Sequence, residues 1–286
     1  IQEDVPKSYN DNGIGLGITE ELSSEINATA YVELNGAAIS LEESYLSFSD
    51  LTGTLFNMDT GFAATAGRKY AAFGTENQLR HGQSTFINNG YTQSMNLGDN
   101  YTTEGVNISY DLPTSVPVGL ELGFGAEADS EAEPVRVINF RGTTSVDAGP
   151  GTLNAGLSYL SHNFSADADT DKETYLGVDA GYTADVAGNA VTGFFELVNK
   201  GYNDGSAKSD LTFSVGGLYD INADYSAGLR FDSNKADGAD DASTRISVLG
   251  SKSIADKAAL KLQIDSSTPA GGEATTTTSV AFVYGG

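Results

Sequence analysis

Apolar residues recur at every second position through fifteen successive segments of this chain, and that period belongs to strands with one apolar face. Ile14, Leu16, Ile18 and Leu22 share one face, as do Ala28, Ala30, Val32 and Leu34 in the next segment. The same parity runs through Val118, Leu120, Leu122 and Phe124, through Leu211, Phe213, Val215 and Tyr219, and through Leu260, Leu262 and Ile264. Clusters of Gly, Asp, Asn and Ser punctuate the series as turns. With 34 glycines, 14 tyrosines and 13 phenylalanines, the composition favours sheet over long helices.

Alternation fits a soluble sandwich, whose polar face meets water, as well as a barrel whose polar face meets a water-filled lumen. The connections separate the two. Tight ones at Ser23–Glu25, Thr114–Pro117, Gly149–Gly151, Ala187–Asn189, Asn222–Asp224 and Ala255–Lys257 alternate with longer, acidic ones such as Asp129–Pro134, Ser165–Lys172 and Lys235–Ser243. Short turns on one rim and long loops on the other describe an all-β, transmembrane antiparallel β-barrel. Bacterial barrels have even strand numbers, so one further strand at or before Ile1 to Ser8 predicts sixteen, in a single domain over residues 1–286. The competing architecture is a soluble or surface-anchored β-rich binding protein or adhesin. No run approaches the eighteen apolar residues of a helical span. Ile1-Gln2-Glu3-Asp4 has neither the basic nor the apolar character of a signal peptide, so the chain reads as a mature form or one that begins at an ordered residue.

One stretch does not alternate. Ala71 to Thr103 is a connection of about thirty residues, well beyond the usual loop. It carries Phe73, Leu79, Phe86, Ile87, Tyr91, Met95 and Leu97, enough apolar surface to fold against a wall. We expect residues 71–103 to turn inward and narrow the lumen. The flanking sequence GRKYAAFGTENQLRHG at 67–82, followed by EGVNISYDLP at 104–113, resembles Gram-negative outer-membrane porins of the phosphate-selective and siderophore-porin-like groups. In those, a Gly-x-x-Tyr-x-x-Phe-Gly strand end runs into a polar loop and then a strand containing Gly-Val-x-x-Ser-Tyr. On the sixteen-strand count, the loop follows the fifth strand, the position of the constricting loop in general porins. The resemblance implies the porin fold and the place of the pore. It implies no solute, since the chain is short and lacks a lysine ladder.

If the apolar face points outward, the inward set includes Glu33, Lys69, Asp111, Glu121, Arg141, Asp179, Glu196, Lys200, Asp220, Arg230, Asp232, Arg245, Lys261 and Asp265. Charges of both signs in a narrowed lumen set up a transverse field that weights ion permeation. The candidate constriction and lumen residues are Lys69, Glu121, Arg141, Asp179, Glu196, Arg230, Asp232, Arg245 and Lys261, joined by Glu76, Arg80 and His81 of the loop. The loop trio reads equally as hydrogen-bonding groups that hold the loop to the wall. Across the whole inward set eight carboxylates stand against six bases, and the long loops are acidic, so a weak cation preference is expected; convergence of Arg80, Arg141 and Arg230 at the narrowest point would reverse it.

Other chemistry finds little support. The 39 Asp and Glu against 15 Lys and Arg give a net charge of −24, which argues against nucleic acid as a partner. Absent cysteine removes disulfides and thiolate sites. His81 and His162 lie among many serines, but no Gly-x-Ser-x-Gly turn occurs, and neither has a metal partner at ligand spacing. Asp167 to Glu173 lacks the glycine and distal glutamate of a calcium loop. No enzyme activity, cofactor or metal is expected. The expected companions are outer-membrane lipid and lipopolysaccharide, with small hydrophilic solutes and ions, and the resemblance implies a homotrimer.

Overall fold

Among the described residues, sixteen strands pair antiparallel with their sequence neighbours, and the first pairs with the last, so the sheet they form closes without an edge. A computed structural model describes residues 7–284, apart from 11–12, 36–37, 57–60, 76, 78–84, 95–100, 128–134, 164–171, 204–208 and 256–257. The strands are β1 (Lys7–Asn10), β2 (Gly13–Ser23), β3 (Ile26–Asn35), β4 (Ala38–Phe48), β5 (Phe62–Tyr70), β6 (Thr102–Leu112), β7 (Val118–Glu127) and β8 (Arg136–Ala148). They continue as β9 (Gly151–Asn163), β10 (Lys172–Val186), β11 (Asn189–Asn203), β12 (Ser209–Asp220), β13 (Tyr225–Lys235), β14 (Ser243–Ala255), β15 (Ala258–Thr268) and β16 (Thr275–Tyr284). The sixteenth strand predicted near the N-terminus is β1, a few residues later than expected: Lys7 faces Tyr284 of β16, and Tyr9 faces Ile14 of β2.

The polarity of the barrel is the reverse of a water-soluble fold. Val280 is 66% exposed and Leu229 59%, while Arg230 and Asp232 have no exposed surface. Large apolar side chains on nearly every strand face outward, Leu122, Leu157, Val178, Leu211, Ile246 and Leu262 among them. Such a belt is stable only if something apolar covers it.

Two local features adjust the strands. In β4 the pairing jumps from Tyr31–Glu43 to Val32–Leu41, so Glu42 is an extra residue. This bulge reverses parity along the strand, bringing Ile39 and Leu41 onto the outer face with Leu46. At the β10–β11 turn, Ala187 (φ 57°) and Gly188 (φ 84°) both adopt the left-handed conformation of a tight hairpin. The Asp185 carboxylate accepts a hydrogen bond from Gly188 N at 2.8 Å there. The rim of tight turns has one larger connection, between β4 and β5, which contains α1 (Leu51–Phe56).

Candidate functional site

The connection after β5 folds against the inner wall. Its stem is tied first: Ala71 N donates to Tyr101 O at 3.0 Å, and Asn77 bridges the same two residues, donating to both carbonyls and accepting from Tyr101 N at 2.9 Å. Phe73 then packs with Tyr101 against Val137, Leu160, Tyr175 and Val198 of β8 to β11. Gly177 makes room for the ring, since a Cβ there would stand 2.8 Å from it. Further along, Phe86 and Ile87 pack on Leu249 of β14 and Ala281 of β16. The loop thus lands on two apolar patches of a lumen that alternation alone predicts to be polar.

Polar anchors surround the second patch. Arg230 donates from Nη2 to Asn88 O at 2.7 Å and from Nε to Asp232 at 3.1 Å, with its guanidinium 4.6 Å over the Phe86 ring. Arg245 bonds Asp232 at 2.9 Å, donates to Asn89 O, and covers the Tyr91 ring of α2 (Tyr91–Ser94). Lys261 Nζ donates to Thr85 O at 3.1 Å. Carboxylates and amides of the wall take the loop's donors. Gln263 accepts from Ile87 N at 2.7 Å, Asp265 from the Asn88 amide at 2.6 Å, and Glu196 from the Thr92 hydroxyl at 3.4 Å. Arg230, Asp232, Arg245 and Lys261 were expected to line the constriction. They do point inward, but they lie between wall and loop, where Arg230 and Asp232 are sealed from any solute.

On the other wall, Arg141 reaches across β9 to Asp179, with contacts of 2.7 and 2.9 Å. It crosses at Gly156, where a Cβ would stand 2.5 Å from Asp179 and 2.7 Å from Arg141. Ser158 accepts from Arg141 at 2.6 Å and from Gly74 N at 3.1 Å, while the Thr75 hydroxyl donates to Asp179 at 2.7 Å. This pair therefore also holds the loop. Lys69 and Glu121 meet at 3.3 Å in a pair that keeps some contact with solvent. Below Thr75, a chamber of about 660 Å³ extends to the tight turn at Thr114 and Pro117 and takes in Asp111, Thr143 and Asn154. Glu76, Arg80 and His81 lie outside the described residues.

His162 belongs to a buried network at the loop's return. Its Nδ1 is 3.2 Å from the Tyr101 hydroxyl and its Nε2 is 2.9 Å from Glu173, which Lys200 also contacts at 3.1 Å. Burial, followed by the charges of Glu127 and Glu173, pushes the Tyr101 phenol above its ordinary range. Tyr101 therefore stays protonated. The docking residues Val137, Leu160, Val198 and Leu249 escaped the sequence reading. Each is half of an apolar doublet, Val137-Ile138, Tyr159-Leu160, Leu197-Val198 or Val248-Leu249, and such a doublet is the signal that a strand is apolar on both faces.

No family model matches the sequence, and no curated protein does either. Solved structures do match. OprB of Pseudomonas putida superposes with a TM-score of 0.70 at 10% identity, covering 98% of this chain and 90% of that one. An anion-selective porin from Comamonas acidovorans gives 0.66 at 14% identity, covering 97% and 91%. The fold is that of a bacterial porin. OmpT, an outer membrane protein of Vibrio cholerae, matches in its trimer form with a TM-score of 0.62 at 12% identity, covering 97% and 91%.

Proposed function

We propose that the protein is an outer-membrane porin, a water-filled channel for passive diffusion of ions and small hydrophilic solutes, narrowed by the 71–103 loop. The observation that carries this reading is the inverted polarity of a closed barrel with a long connection bonded to its inner wall. An apolar exterior suits lipid, a polar interior suits water, and a docked loop reduces the cross-section without closing the barrel. The porin fold of the structural neighbours supports the outer membrane as location, with lipopolysaccharide at the outer leaflet, and the trimeric neighbour supports a homotrimer. The motif at 67–82 and 104–113 supports kinship with the phosphate-selective and siderophore-porin-like groups. Commitment of Arg230, Arg245 and Lys261 to the loop argues against phosphate as the solute. Purified protein refolded into a planar bilayer is expected to give stepwise ohmic conductance and a heat-modifiable mobility on gels. A folded barrel that conducts nothing sinks the reading.

A further inference from the structure

The chamber beneath Thr75 contains three charged side chains, Asp111, Arg141 and Asp179. Two of them cancel, because Arg141 and Asp179 are buried and doubly bonded to one another. Asp111 is different: it is exposed, and among the described residues no base pairs with it. Its row neighbour on β7 is Gly119, and the next, on β8, is Thr143. A Cβ on Gly119 would stand 2.9 Å from the Thr143 hydroxyl and 3.2 Å from the Asp111 carboxylate, so glycine there keeps both groups on one open face. Ser145 and Asn154 line the same chamber.

An exposed carboxylate without a protein cation attracts a cation with about the strength of one ion pair in water-like surroundings. The neighbouring hydroxyls and amide offer both donors and acceptors to a solute's own hydroxyls. We infer that Asp111 is the centre of a subsite for small organic cations that combine an ammonium group with hydroxyls, of which an amino sugar is the type. The inference rests on the channel reading above and names the solute class that this half of the lumen favours.

The test is block of potassium current through the native barrel in a planar bilayer, with glucosamine or N-acetylglucosamine added to both compartments. Glucosamine is an ammonium at neutral pH and is expected to block at about fivefold lower concentration, the ratio that one ion pair in water-like surroundings supplies. Asp111→Asn is expected to erase the difference and Asp111→Glu to keep it. The comparison of the two sugars in the native barrel needs no variant to fold. Equal block by both, or a preference that survives Asp111→Asn, overturns the subsite and leaves the channel standing. No conductance at all overturns the channel reading and the subsite with it.

Discussion

Arg230 carries a full charge with no exposed surface, a state that only complete pairing stabilises. Its partners come from two sources, Asp232 on its own strand and the Asn88 and Asn89 carbonyls of the loop, so one side chain couples wall to loop. Arg230→Met fills much of the volume but removes every one of those bonds. Asp232 then keeps Arg245 as its base, and two loop carbonyls lose a charged donor. The expected cost is about 3 kcal/mol. Lys69→Met is the control, since the Lys69 and Glu121 side chains are 28% and 20% exposed and water compensates the loss, at about 1 kcal/mol or less. Urea unfolding midpoints of the two refolded variants decide the matter. Equal shifts would mean that Arg230 does not hold the loop.

Along each strand, the outer and inner faces obey different rules. Leu262→Arg places a charge in the apolar belt and is expected to cost about 2 to 4 kcal/mol if it lies near the bilayer midplane. Thr143→Arg puts the same charge in the chamber, where it is expected to be milder. Refolding yields in lipid that are equal for the two would overturn the assignment of faces. Inward positions are not all so tolerant: Thr212 is wholly buried, and its hydroxyl donates to Asn234 at 2.8 Å. Strand periodicity was legible in the sequence wherever a strand is apolar on one face only. It failed in β4 because Glu42 shifts parity midway, so Ile39 and Leu41 fall out of step with Leu46. It also misread the lumen of β8, β9, β11 and β14, because a face that meets another segment of the same chain is apolar while facing inward. Alternation puts Arg230, Arg245 and Lys261 on the face opposite the apolar row, but does not make them partners of backbone carbonyls, since it locates a face and is silent about what covers it.

For the whole molecule, the loop covers part of the inner wall and, in the proposed channel, would set which charges meet a solute. Deleting residues 78–93 removes the contacts of Thr85, Asn88 and Asn89 and uncovers Arg230, Arg245 and Lys261. Single-channel conductance should rise while the barrel still refolds; an unchanged conductance would place the loop outside the conducting path. Ion selectivity in the native barrel follows from the same bookkeeping of charge. Three bases of the inner wall are committed to loop carbonyls, and Arg141 is neutralised by Asp179, so the basic convergence that would favour anions is spent on structure. Asp111 stays exposed in the chamber, and the chain as a whole carries 39 acids against 15 bases. A vestibule with one dominant sign concentrates counter-ions until the Debye length, about 10 Å at 0.1 M, falls below the pore radius. Cations should therefore be favoured weakly in dilute salt, and the preference should fade toward 1 M. Reversal potentials across a KCl gradient, measured at both concentrations, test this; an anion preference in dilute KCl would mean that bases outside the described residues control the narrowest point.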